Sequence, residues 1–242
     1  GAILGVPIPL AMLGGVLIAC AVGAVLALPS LRLSGFALAI VTMGAATVLF
    51  QGVKAFKVTG GPQGLFMPAV PFVKLAEGRP FFLCVFALLL VGALVSHSIE
   101  SGPIGRSLRA AAANPLMAQT FGVHLLKVRT TAFVASAAYG AVAGGLLALL
   151  TGYVAPEAFS PELSIQLFAA VMIGGSSRFW GPILGALFIV LIPELTQKVQ
   201  NAGPIVYAVL FMLVATLYPG GLAELLSRRA RRAPGNPKPV VE

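Results

Sequence analysis

Residue types that could perform chemistry are few in this 242-residue chain. The two histidines, His97 and His124, flank a loop and stand well apart in sequence, so they are interpreted as interfacial residues and not as metal ligands. The cysteines, Cys20 and Cys84, lie within apolar runs and are typical of core thiols. The sequence contains no Ser-His-Asp set, no paired carboxylates, no HExxH motif and no GxxxxGK[ST] phosphate loop. It therefore predicts a protein that is not an enzyme, with no cofactor, no metal and no ATP site of its own.

The pattern that most clearly indicates a function is the spacing of basic residues in the loop 100–130. Within it, residues 104–113 have a helical pattern, and Arg106 and Arg109 lie one turn apart on one face of that helix. Two charges at this spacing are suited to docking against a protein groove. A solvated basic linker that only enforces membrane topology is the alternative interpretation.

A second, shorter helix is predicted in the same loop because its boundary signals are good. Asn114 is a suitable N-cap, Pro115 suits the first helical position, and Gly122 can end the helix in a left-handed turn. Phe121 follows Met117 by one turn, so an apolar patch accompanies the basic pair. Two ordered helices are more than a plain linker needs, which favours docking.

The composition requires that these residues be positioned by membrane helices. Hydrophobic residues make up 58% of the chain and charged residues only 10%, against roughly 25% charged in an ordinary soluble protein. The net charge of +9 is partly concentrated in a carboxyl-terminal tail, which is interpreted as a cytoplasmic anchor against anionic lipid and not as a nucleic-acid arm. The basic residues of this tail are Arg228, Arg229, Arg231, Arg232 and Lys238.

The hydropathy pattern predicts an all-α, polytopic helical membrane protein with about six to seven membrane segments. The two shorter apolar runs, at 163–175 and 181–193, are either short spans or a re-entrant pair. Polar residues within the spans, such as Tyr139, are predicted to pair with neighbouring helices. The longer predicted spans are 6–28, 35–53, 80–99, 131–153 and 204–218.

The distribution of Lys and Arg predicts the sidedness of the loops. The loop 100–130 and the tail are basic and are assigned to the cytoplasm, whereas the loop 154–162 carries only acidic charges and is assigned outside. The loop 54–79 is also basic, yet alternation places it outside, which conflicts with the rule.

Ionisable residues are absent from the middle of the longer spans, so a proton- or sodium-coupled carrier is disfavoured. Energy must come from another subunit, or the protein is a passive channel.

Several blocks of the chain resemble the M-type permease subunits of ATP-binding cassette (ABC) transporters that import branched-chain amino acids. The resemblance covers most of the chain, although the family's usual amino-terminal helices are absent and residues 111–113 and Gln119 replace acidic positions. Outside the basic loop it is carried by residues 29–44, 59–65, 132–148 and 172–189. Within that loop it is carried by Gly105, Arg106, Leu108, Arg109, Asn114, Ala118 and Gly122.

This resemblance implies a permease subunit in a bacterial inner membrane, with a cytoplasmic carboxyl terminus. Implied partners are a second, H-type permease chain, two ABC ATPase subunits and a periplasmic substrate-binding protein. Residues 1–227 would form the permease domain, without some amino-terminal helices of the family, and residues 228–242 the tail. The loop 100–130 would then be the segment that couples to the ATPase, with Phe121 as one of its contacts.

The TGGPQG sequence, with Gly60, Gly61, Pro62 and Gly64, has the composition of a tight turn at the end of the second span. It is either that turn alone or, as the resemblance implies, an external loop near the binding protein or the pathway mouth.

A urea or short-amide ABC permease has a closely similar pattern and stays an alternative. A passive channel is disfavoured by the ordered basic loop.

Overall fold

A computed structural model describes residues 8–31, 33, 35–56, 60–66, 79–175, 179–196 and 212. The chain divides after Ser160 into two compact units. The first unit contains α1 (Ile8–Ala27), α2 (Phe36–Ala55), α3 (Arg79–Ser101), α4 (Pro103–Ala113), α5 (Pro115–Thr120) and α6 (Leu125–Thr151). It also contains two strands, β1 (Leu65–Phe66) and β2 (Tyr153–Val154), and the 3₁₀ turns Pro29–Leu31, Gly61–Gln63 and Pro156–Phe159. The second unit contains α7 (Pro161–Gly174) and α8 (Gly181–Thr196).

Among the described residues, four helices are long and apolar enough to cross a membrane, namely α1, α2, α3 and α6. This confirms the predicted all-α polytopic fold. One predicted boundary is wrong, because α6 begins at Leu125 and not at Thr131. The buried side chain of Val128 packs on residues that precede α6, and this contact stabilises helix where the sequence is still polar. The predicted span 204–218, apart from Met212, and the tail 228–242 lie outside the described residues.

Helices α1 and α6 pack against each other along much of their lengths. A Cβ atom on Gly23 would lie 2.9 Å from Ala137 Cβ, so the two backbones approach as closely as they do only because residue 23 is glycine. At the other end of the pair, Gly145 of α6 lies beside Met12 of α1. The two helices are therefore antiparallel.

The end of α1 is defined by Pro29 and Ser30. Proline cannot continue the helix, because it lacks an N–H donor and its ring disfavours helical backbone at the preceding residue. The fully buried Ser30 hydroxyl donates to the Ala27 carbonyl at 2.6 Å, which satisfies one of the last carbonyls of the helix. The chain can therefore turn toward α2 without leaving that carbonyl unpaired.

In the second unit, α7 and α8 form a short antiparallel pair that packs backbone to backbone. A Cβ atom on Gly174 would overlap the Gly181 carbonyl, and one on Gly185 would overlap the Ala170 carbonyl. The helices have 14 and 16 residues, or about 21 and 24 Å, which is less than the ~30 Å of a hydrocarbon core. Helices thus occupy the two apolar runs singled out in the sequence, and their assignment as short spans or a re-entrant pair stays a prediction.

Candidate functional site

Residues 102–124 form an ordered connecting segment between α3 and α6, built from α4 and α5. Ala111 of α4, Ala118 of α5 and Val128 of α6 are buried against one another. This small apolar cluster joins three helices, so the connecting segment is attached to α6 and is not a free loop. The partly buried side chains around the cluster are Leu108, Val123 and Leu125.

The corner between α3 and α4 is closely packed at Gly105. A Cβ atom on this buried glycine would overlap the Glu100 carbonyl and would lie 2.6 Å from its carbon. Arg109 Nη1 donates to the same carbonyl oxygen at 3.0 Å, and so satisfies one of the terminal carbonyls of α3. Arg109 thus has a structural partner within the chain, whereas the Arg106 side chain is exposed on α4.

The predicted N-cap of α5 is confirmed. Asn114 Oδ1 accepts hydrogen bonds from the backbone N–H groups of Leu116 and Met117, both at 3.1 Å. Asn114 itself has extended backbone angles, and Pro115 occupies the first helical position. A cap of this kind contributes about 1 kcal/mol to a helix, which matters for a helix of only six residues.

The predicted left-handed end of α5 is also confirmed. Gly122 has φ of 81°, and its N–H donates to the Gln119 carbonyl at 2.9 Å. The N–H of Val123 donates to the Ala118 carbonyl at 3.0 Å. This pair of hydrogen bonds is a Schellman motif, and Val123 also packs against the buried cluster that contains Ala118.

Three apolar side chains of α5 and its C-cap are exposed on the connecting segment. Leu116 is 77% exposed, Met117 61% and Phe121 84%. We call these three residues the docking patch. Met117 and Phe121 were expected from the sequence, whereas Leu116 was missed.

At the opposite end of α6, residues 60–66 and 152–159 join to form what we call the strap. Strands β1 and β2 pair antiparallel, with Leu65 opposite Val154 and Phe66 opposite Tyr153. The Phe66 and Tyr153 rings lie 4.7 Å apart, and the Tyr153 hydroxyl donates to the Gln63 carbonyl. The loop after α2 and the loop after α6 therefore lie at the same end of the first unit, as alternation of the spans requires.

Glycines allow the strap to close. Gly60, Gly61 and Gly64 all have φ between 57° and 80°, a region that residues with a Cβ rarely adopt. A Cβ atom on Gly64 would also lie 2.9 Å from Ala155 Cα. Pro62 is the second residue of the 3₁₀ turn and is exposed. The predicted tight turn is confirmed, and its glycines also admit the neighbouring strand.

An ion pair fastens the strap to α2. Lys54 Nζ lies 2.9 Å from Glu157 Oε1 and 4.4 Å from the centroid of the Phe50 ring. The hydrogen bond from Lys54 holds the pKa of Glu157 below its ordinary value. The sequence shows both loops to be charged but does not indicate that Lys54 and Glu157 pair, because the two residues are distant in the chain.

Helices α3 and α6 are linked near their midpoints by a polar contact. The Tyr139 hydroxyl donates to the Gly92 carbonyl at 2.8 Å and accepts from Ser96 Oγ at 3.0 Å. A Cβ atom on Gly92 would lie 3.2 Å from the Tyr139 ring. The prediction that Tyr139 pairs with a neighbouring helix is confirmed.

These helices define a multi-pass membrane protein with an ordered segment at one end of its first unit and a strap at the other. The chain belongs to the family described as branched-chain amino acid transport system / permease component, whose profile matches residues 2–217. The resemblance inferred from the sequence blocks is confirmed. No solved structure has a significant match to the chain.

Individual relatives carry related names. The chain is 30% identical to the high-affinity branched-chain amino acid transport system permease protein LivM of Escherichia coli, over 85% of this chain and 55% of that protein. It is 28% identical to LivM of Salmonella typhimurium, over 92% of this chain and 59% of that protein. A probable branched-chain amino acid transport permease protein LivH of Methanocaldococcus jannaschii is 32% identical over 55% of this chain and 43% of its own length. The chain thus spans less than two thirds of the length of these relatives.

Proposed function

We propose that this chain is a membrane-spanning subunit of an ABC importer that translocates branched-chain amino acids. Its partners are a second, H-type permease chain, two ABC ATPase subunits and a periplasmic substrate-binding protein. The ATPase subunits supply the energy, and this chain has no ATP site of its own. The family match over residues 2–217 and the names of the relatives support this assignment.

The protein lies in a bacterial inner membrane, with residues 1–227 as the permease domain and 228–242 as a cytoplasmic tail. The connecting segment faces the cytoplasm and the strap faces outward. The basic residues Arg106, Arg109 and Lys127 at the connecting-segment end support this orientation. At the other end, Lys54 is paired with Glu157, which reduces the conflict that its charge creates with the positive-inside rule.

The observation that carries the proposal is the docking patch on a rigid base. Leu116, Met117 and Phe121 are exposed on a helix that is capped at both ends and anchored to α6. Exposed apolar side chains on an ordered polar segment mark an interaction site, and an amphipathic helix laid into a partner's groove is a common mode of recognition. We infer that the groove belongs to the ATPase subunit.

Rigidity matters because the segment must transmit motion. A flexible loop would absorb a displacement of the ATPase, whereas the buried cluster of Ala111, Ala118 and Val128 passes it to α6. Arg106, whose side chain is exposed, is placed to meet acidic groups around the groove. Arg109 instead supports the corner by its bond to Glu100.

The experiment replaces Phe121 with serine in the assembled transporter and measures recovery of the ATPase together with ATP-driven leucine uptake. Burial of a phenylalanine side chain is worth about 1.5–3 kcal/mol, so the variant should lower the affinity for the ATPase about tenfold or more. Ala112→Ser, at an exposed position of α4, is the matched control and should behave as wild type. Normal ATPase recovery and normal uptake in Phe121→Ser would refute the proposal.

A further inference from the structure

Helix α6 is the element that connects the two specialised ends of the first unit. It is a continuous helix of 27 residues, or about 40 Å. Near its beginning, Val128 is buried in the cluster of the connecting segment. At its end, Gly152 caps the helix in the left-handed conformation and the chain enters the strap. One continuous helix therefore joins the connecting segment to the strap.

The strap is held by several independent interactions, which distinguishes it from a loose loop. Strand pairing, the tilted ring contact of Phe66 with Tyr153, and the bond from the Tyr153 hydroxyl to the Gln63 carbonyl all act between the same two segments. Thr151 Oγ1 also donates to the Tyr153 carbonyl at 2.7 Å. Opening the strap would break these contacts together, so a closed strap is the stable arrangement.

The strap contacts α2 at the end of that helix. Both 3₁₀ turns of the strap, Gly61–Gln63 and Pro156–Phe159, touch α2, and the Lys54–Glu157 ion pair links α2 to the second turn. Phe159 of the same turn packs beside Gly144 of α6, since a Cβ atom there would lie 3.4 Å from its ring. The second turn is thus clamped between α2 and α6.

We propose that the strap makes the outer ends of α2 and α6 move as one body, so that α6 carries motion of the connecting segment to the outer end of α2. Lys54, Glu157 and Tyr153 are positioning residues in this device and need not touch substrate. The inference rests on the proposed function, since it gives the route by which ATP hydrolysis would act on the external mouth. It predicts that the strap stays closed throughout transport.

The first test exchanges the charges of the ion pair in the assembled transporter. Lys54→Glu and Glu157→Lys should each leave the complex with normal ATPase recovery and basal ATP hydrolysis, but lose leucine uptake and the stimulation of hydrolysis by the loaded binding protein. The double variant, which restores an ion pair of reversed order, should regain both. Normal ATPase recovery in the single variants would exclude a folding defect, and rescue in the double variant would show that the ion pair, and not either charge alone, is required.

The second test locks the strap. Leu65→Cys and Val154→Cys, introduced together after Cys20 and Cys84 are replaced by alanine, place two thiols directly opposite each other on paired strands. Oxidation should cross-link the strap and leave leucine uptake unchanged. Loss of uptake on oxidation with recovery on reduction would overturn the proposal, because the strap would then be a gate that must open.

These outcomes separate the two levels of inference. If the parent transporter fails to take up any branched-chain amino acid, the proposed function is wrong. The parent transporter can instead take up a branched-chain amino acid while both single charge variants couple normally, or while the double variant is not rescued. In either case the strap has no part in transmission.

Discussion

Gly105 offers a sharp test of the corner between α3 and α4, because the steric conflict of an alanine there is with backbone and not with a mobile side chain. The new methyl carbon would start 2.6 Å from the Glu100 carbonyl carbon and needs about 3.4 Å for ordinary contact. Helix α4 must therefore shift by at least about 0.8 Å, the difference of these distances, because the carbonyl oxygen of Glu100 lies closer to the new methyl group than its carbon does. The shift would strain the Arg109–Glu100 hydrogen bond and the cluster around Ala111.

Two opposing effects set the magnitude of the Gly105→Ala change. Overpacking of this kind costs about 1–3 kcal/mol, whereas alanine is favoured over glycine within a helix by at most about 1 kcal/mol. The clash should win, with a net local destabilisation of about 1–2 kcal/mol. The population of the locally open segment should then rise roughly 5- to 30-fold.

The assay is limited trypsin digestion of the purified transporter, which follows cleavage after Arg109. When the connecting segment opens and closes faster than trypsin cleaves it, the rate of cleavage is proportional to the open population. Gly105→Ala should then be cut several-fold faster than wild type. Gly44→Ala is the matched control, because a Cβ atom at that helical glycine meets no atom within 4 Å. Equal cleavage rates in all three proteins would refute the steric argument.

Three further predictions follow from the caps, the orientation and the ion pair. Asn114→Ala should remove the cap of α5 and destabilise the connecting segment by about 1 kcal/mol, measured as faster amide exchange there; unchanged exchange would contradict the capping role. In a cysteine-free chain, Ala158→Cys should react with an impermeant maleimide from outside the cell and Ser107→Cys only after permeabilisation, and labelling of both from one side would refute the orientation. Lys54 lowers the pKa of Glu157. The contribution of this ion pair to the stability of the strap is therefore present above the ordinary glutamate pKa and is lost as the pH falls through the lowered value. Protection of the strap from amide exchange, compared at each pH with Glu157→Gln, should therefore fall only in acid; a loss already near neutral pH would contradict the assignment.

Local features of the connecting segment were predictable from the sequence because their interactions span only a few residues. Asn114 bonds to groups two and three residues ahead, and Gly122 bonds to Gln119 in the same turn. Such geometry follows from residue type and order alone. The long apolar helices were predictable for the same reason, since length and composition determine them.

Contacts between distant segments were not predictable. Tyr153 and Gln63 are 90 residues apart, and no local pattern indicates that their loops meet. The start of α6 was misplaced for a related reason. Lys127 and Arg129 look like loop residues, but burial of Val128 against the connecting segment extends the helix through them. The bond from Arg109 to the Glu100 carbonyl was likewise not predicted, and a docking role for Arg109 stays a prediction.

The most direct test of the central claim, that the docking patch meets the ATPase, is site-specific photo-cross-linking. A benzophenone amino acid replaces Phe121 in one transporter and Phe66 of the strap in another; the two side chains are 84% and 80% exposed. Irradiation of the assembled transporter should yield a covalent adduct with the ATPase subunit from position 121 and none from position 66. Absence of that adduct at position 121, or its formation at position 66, would contradict the assignment.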